Sequence, residues 1–241
     1  MTFQNAAISN DLGGNGAGIR DQDTTDYDTL TVRNSTFINN QMGILTSNSS
    51  TDNVVLENNV FMNNGNPDIN YFGHAVYIGP ANSLMASGNE VCGTSIGHDI
   101  KSRAAINTIQ NNTLYDGAGD PNQPGCNVGS TGYALDLPNG GQATVTGNTM
   151  VQGAATQNGT MFAYGEEGLI FSVNSINFSN NTMENSGVSG AIAIYDNPNA
   201  PVPVEGNNNT FDPSLTEINP DSANQLNGNS SQANANTTSD N

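Results

Sequence analysis

A short phrase, apolar-x-Asn-x-x-apolar and often closed by Asn or Gly, recurs eight times in this 241-residue chain. The copies are FQNAAISN, VRNSTFINN, LENNVFMNN, MASGNEVCG, IQNNTLYDG, VTGNTMVQG, FSNNTMENS and VEGNNNTFD. Alignment on the last apolar residue puts Ile8, Phe37, Phe61, Val91, Leu114, Met150, Met183 and Phe211 in one column. The spacings are 29, 24, 30, 23, 36, 33 and 28 residues. Each unit also holds a second strand-like run, among them GAGIR, MGILT, HAVYIG, GHDIKSR, YALDLPNGG and GAIAIYD. These runs alternate with the period of a strand, and no segment carries a capped helical stripe. Short strands joined by Asn/Gly turns in units of 23 to 36 residues predict an all-β solenoid, a parallel β-helix of about eight coils.

The repeat explains a composition that otherwise suggests disorder. Apolar residues make up only 34% of the chain, and there are 41 Asn and 27 Gly. Asn tolerates left-handed turns, and at equivalent sites of stacked coils it can form amide ladders. The pattern fades after Phe211, so the β-helix domain is expected over residues 1–211 and a polar, disordered tail over 212–241. The first repeat starts almost at Met1 with no capping segment ahead of it. A missing segment or a partner chain is therefore expected to cover that edge.

The net charge of −18 argues against nucleic acid and against an anionic membrane surface as partners. No apolar run approaches a membrane span, and no leader peptide is visible. Cys92 and Cys126 either pair or stay free, since spacing alone does not decide.

In a stacked solenoid the alignment doubles as a contact map, with neighbouring coils roughly 4.8 Å apart. The inward column of the second strand reads Ile19, Ile44, Val76, Ile100, Leu135 and Ile192. The next, outward column reads Arg20, Leu45, Tyr77, Lys101, Asp136 and Ala193. Arg103 falls two residues beyond Lys101, while His74, His98 and Tyr133 fall two before the inward position. Strand parity points the histidines inward unless a turn intervenes at Gly73 and Gly97. Thus three of the four basic residues and both histidines gather on a few coils of an acidic chain, which suggests a site for an anionic group. Tyr164, Glu166 and Glu167 belong to the following coil.

The coil lengths, the Asn-rich turns and the phrases GNGAGIR, GHDIKSRA, DLPNGG and YGEEGL resemble right-handed parallel β-helix proteins of the pectate-lyase-like superfamily. GHDIKSRA and DLPNGG are similar to phrases of a bacterial, often secreted subgroup. The resemblance covers roughly residues 1–211. It implies a groove on the outer face of the second sheet, an acidic polysaccharide as partner and an extracellular or cell-surface location. The calcium-and-arginine motif of well-known pectate lyases and the paired aspartates of polygalacturonases are missing.

On this basis the expected chemistry is lyase-type β-elimination on a uronate-containing polysaccharide. Arg103 or Arg20 would neutralise the sugar carboxylate, and Lys101, His98 or His74 would be the base. Tyr77 or Tyr133 would donate a proton or stack on a sugar ring, with Tyr164 a further binding residue. Asp136 and Glu166 would hold Ca²⁺. The alternatives are a glycan-binding or adhesion module without turnover, then a glycoside hydrolase using Asp136 and Glu166.

Overall fold

In the computed structural model of the chain, which describes residues 1–9, 16–22, 28–65 and 73–231, each coil visits three strand positions in turn. The first position stacks nine strands: Thr2–Gln4, Thr36–Ile38, Val60–Met62, Glu90–Cys92, Thr113–Asp116, Thr149–Gly153, Thr182–Ser186, Thr210–Phe211 and Ser230–Ser231. The second runs from Ile19–Asp21 and Ile44–Thr46 through Tyr133–Leu137, Thr160–Tyr164 and Ile192–Asp196 to Thr216–Asn219. The third runs from Thr29–Arg33 and Asn53–Glu57 through Gln142–Thr146, Ser175–Ser179 and Val204–Asn207 to Asn224–Asn227. Two long strands, Val76–Ser87 and His98–Gln110, pass through the corner between the second and third positions and weld them into one sheet of 14 strands. The ladders are parallel. The fold is an all-β parallel β-helix.

Alternation explains why these segments are strands. Phe37, Phe61, Val91, Leu114 and Met150 are wholly buried and stack through the interior, with strand neighbours turned outward. The Phe3, Phe37 and Phe61 rings are offset by one coil each, at centroid spacings of 4.8 and 4.7 Å.

Three sequence expectations are corrected by the register. Phe3, rather than Ile8, pairs with Phe37 and opens the first column. Ile194, rather than Ile192, lies beside Phe162 in the inward column, so the outward residue there is Tyr195 and not Ala193. The coil also continues past the boundary expected at 211, because strands Thr216–Asn219, Asn224–Asn227 and Ser230–Ser231 add to all three positions. Residues 232–241 of the expected tail lie outside the described residues.

The Asn abundance has a physical account at the corner between third and first positions. Asn34, Asn58, Asn111, Asn180 and Asn208 adopt φ between 49° and 58°, where Asn is among the few residues at ease. The next residue in each coil turns inward. Asn59, Asn89, Asn112, Asn148, Asn181 and Asn209 are buried and form one amide ladder. From Asn89 onward each Oδ1 accepts the backbone N–H and the side-chain amide of the Asn in the coil before, as Asn112 does for Asn89 at 2.9 and 3.0 Å, while Asn59 Oδ1 accepts the Ser35 N–H. Each Nδ2 also donates to a backbone carbonyl, as Asn112 does to Ala86. A corner that would otherwise bury unpaired backbone groups is thereby satisfied.

Cys92 and Cys126 form a disulfide, with Cα atoms 6.0 Å apart, which ties the excursion after Asp116 to the first sheet. This settles the pairing left open by the spacing.

Candidate functional site

The outward column of the second position carries the site. Arg20, Leu45, Tyr77, Lys101 and Asp136 follow one another across adjacent coils, in the expected register. Arg103 lies two residues beyond Lys101 on the same face, opposite a bulge at Gly79–Pro80 of the neighbouring strand, and both side chains reach Glu167. At the other end of the strand, Gly97 at φ +82° breaks the alternation. His98 therefore joins the outer face, while Asp99 turns into the interior and accepts from the Thr94 hydroxyl at 2.6 Å. The result is a cleft of about 620 Å³ walled by Arg20, Tyr77, Lys101, Arg103, both histidines and Glu167.

The basic groups in the cleft are closely held. Lys101 Nζ lies 2.5 Å from Asp136 Oδ2 and 3.2 Å from Glu167 Oε1. Arg103 Nη2 reaches both Glu167 oxygens, at 2.9 and 2.7 Å. Its Nε donates to Tyr77 Oη at 3.0 Å and its Nη1 to Asn139 Oδ1 at 2.6 Å. Arg20 donates to the Gln22 amide oxygen from Nη2 at 2.8 Å and Nε at 3.1 Å. The fourth basic residue, Arg33, pairs with Glu57 on the third strand position.

An aromatic row runs beside these charges. His74 and His98 have ring centroids 5.0 Å apart, and His98 stacks on Tyr133 at 4.7 Å. The His98 backbone N–H donates to His74 Nδ1 at 2.9 Å, which leaves the proton of a neutral His74 on Nε2. His98 Nε2 faces Asp136 Oδ2 at 3.3 Å. Its Nδ1 is buried against Gly132 with no donor.

Burial, followed by the neighbouring cations, pushes His74 down to about 3. Burial, His74 and Lys101 likewise hold His98 well below its ordinary value. Both rings are neutral at pH 7. Burial works against the Lys101 ammonium, but Asp136 and then Glu167 outweigh it and raise Lys101 above its ordinary value. Burial raises Asp136 and, together with Asp136 as neighbour, pushes Glu166 up to about 9. Asp136 Oδ1 and Glu166 Oε2 are both buried with no donor, and one proton between the two carboxyls satisfies them. Lys101 favours the anion on Asp136, so Glu166 holds the proton.

Lys101, Arg103, His98, His74, Arg20 and Tyr77 all line the one cleft. Other expectations change. Tyr164 is wholly buried: it pairs with inward-facing Leu137, and its hydroxyl donates to the Gly141 carbonyl, so it is a core residue and not a binding residue. Asp136 is also fully buried, so it acts on the cleft only through Lys101 and His98. Tyr133 is half-buried and serves as the platform beneath His98. Asp136 and Glu166 do meet, but a lysine ammonium already sits on Asp136 Oδ2. Among the described residues no group of three His, Cys, Asp or Glu gathers for a metal. Asn139 and Glu167 escaped the sequence reading as site residues, although DLPNGG and YGEEGL contain them. Searches for related proteins found no matching family model, no matching curated protein and no matching solved structure.

Proposed function

We propose that this is a carbohydrate-active β-helix protein of the pectate-lyase-like kind, which takes a uronate-containing polysaccharide in the cleft and cleaves it by β-elimination. One observation carries the reading: a chain of net charge −18 gathers three of its four basic residues and both histidines around one cleft. Arg103 and Lys101 would face the sugar carboxylate and make the adjacent C–H acidic. A base then takes that proton, the electron pair forms the C=C bond, and the C–O bond to the leaving sugar breaks. Tyr77 lines the cleft and accepts from Arg103, so its own hydroxyl proton is available to the leaving oxygen.

Lys101 is held as an ammonium and His74 Nδ1 is already used, which leaves His98 as the base. Asp136 orients its Nε2, and Nδ1 carries the lone pair. Gly132 stands at Nδ1 in the resting cleft, so this role requires the ring or the Gly132 segment to shift when the sugar enters. The Cys92–Cys126 disulfide supports an extracellular or cell-surface location.

The closed position of His98 Nδ1 favours a second reading, glycan binding without turnover. The hydrolase alternative is weaker, because Asp136 is buried and Glu166 does not line the cleft. An ultraviolet scan against a panel of acidic polysaccharides, with Ca²⁺ or with chelator, separates the readings. Elimination gives rising absorbance from an unsaturated uronate. Binding without any new absorbance or reducing ends supports the second reading and refutes the first.

A further inference from the structure

The two innermost cations of the cleft already grip a carboxylate, and it belongs to the protein. Glu167 Oε1 and Oε2 lie 2.9 and 2.7 Å from Arg103 Nη2, and Oε1 lies 3.2 Å from Lys101 Nζ. A carboxylate spread over a guanidinium and an ammonium is the arrangement that a uronate would need at the same place. We infer that Glu167 occupies the seat of the ligand's carboxylate, and that an acidic ligand binds by exchange with this side chain. The inference rests on reading the cleft as a site for an acidic glycan.

Charge accounting supports the exchange. Lys101 and Arg103 bring two positive charges. The Asp136–Glu166 pair, with one shared proton, brings one negative charge, and Glu167 brings the other. With Glu167 in place the inner end of the cleft is neutral and offers an incoming anion no net attraction. With Glu167 turned out, it carries one positive charge.

Glu167 is also the partner able to leave. Asp136 is fully buried on a strand, whereas the Glu167 side chain is 45% exposed. It sits on a turn between Gly165 at φ +72° and Gly168 at φ +105°, and nothing stands within 4 Å of where a Gly168 side chain would begin. The turn's backbone is pinned by the Glu167 N–H to the Pro138 carbonyl at 3.0 Å, so the side chain alone needs to rotate. Because water already reaches the Glu167 carboxylate, turning it outward costs less than withdrawing the fully buried Asp136 would. In the absence of ligand, Glu167 offsets the repulsion between Lys101 and Arg103. A neutral sugar cannot replace it, so the exchange selects for carboxylates.

The test uses glucuronate as the charged probe and glucose as its uncharged counterpart, in calorimetry on wild type, Glu167→Gln and the double variant Glu167→Gln/Arg103→Gln. The inference predicts that Glu167→Gln binds glucuronate five- to tenfold more tightly than wild type. Glucose binding should not change, and the gain should vanish in the double variant. Affinity in Glu167→Gln that is equal, weaker or undetectable would overturn it. Polyuronate cleavage by wild type with no gain in Glu167→Gln would sink the seat and leave elimination standing. A gain in Glu167→Gln with no cleavage of any polyuronate would do the reverse.

Discussion

Replacing Asn112 with alanine tests whether the amide ladder holds the coils in register. Asn112 is 1% exposed. Its Oδ1 accepts the Asn89 N–H and the Asn89 amide at 2.9 and 3.0 Å. Its Nδ2 donates to the Ala86 carbonyl at 3.0 Å and to Asn148 Oδ1 at 2.9 Å. Alanine removes these bonds and leaves the buried Asn89 N–H without its acceptor. A lost neutral hydrogen bond costs about 1 kcal/mol net, and an orphaned buried donor about 1–3 kcal/mol. The bonds are not independent, so the expected loss is about 3–5 kcal/mol, a large part of the ~5–15 kcal/mol that holds a typical domain. Urea denaturation followed by circular dichroism measures it. Asn177→Ala, at an exposed position of the third strand column, is the control and should stay within about 0.5 kcal/mol of wild type. A loss below about 1 kcal/mol for Asn112→Ala would refute the ladder as a structural element.

Further outcomes follow from the cleft. Lys101→Ala should abolish turnover and also destabilise the fold by about 3–5 kcal/mol, because it strands the Asp136 charge; adding Asp136→Asn should recover most of the stability, as read in the same denaturation. Glu166 titrates higher in the folded chain than its ordinary value of 4.5, so the folded state binds the extra proton. Stability should then fall as pH rises from about 5 towards 9, and Glu166→Gln should flatten that fall; a slope unchanged in the variant would refute the shared proton. His74 has the opposite sign: its lowered value makes the fold lose stability as pH drops from 6.5 towards 3, and His74→Asn should remove that part of the acid sensitivity. Tyr164→Phe should leave glycan binding unchanged in calorimetry and lower stability by about 1 kcal/mol through the lost bond to Gly141.

What was legible in the sequence lay in the strands. Period-two alternation fixes which side chain faces in, and stacking converts an alignment into neighbours, so Tyr77, Lys101 and Asp136 were placed correctly from one column. A slip of two residues preserves parity, which is why Ile192 and Ile194 could not be told apart by hydrophobic pattern. In the first coil the Asn of the repeated phrase is Asn5, which like Asn39 and Asn63 belongs to the corner after the strand and not to the corner before it, so alignment on that Asn shifts the column from Phe3 to Ile8. Tyr164 shares the parity of Leu137, but its register depended on a coil with no clear anchor. Asn139 and Glu167 sit in turns, where no alternation reports direction; only three-dimensional proximity brings them to Arg103. At His98 the sequence leaves two orientations open, inward by parity or outward if a turn falls at Gly97, and the left-handed turn at Gly97 selects the outward one.

On the proposed reading the cleft performs elimination on an acidic glycan with His98 as the base. The most direct measurement is ultraviolet product formation by wild type and His98→Ala on the best polyuronate of the panel, with binding of the same polymer followed in parallel. The account predicts rising absorbance for wild type, and a variant that still binds but releases no unsaturated ends. Full activity in His98→Ala, or wild-type cleavage that yields reducing ends without the unsaturated product, would contradict it.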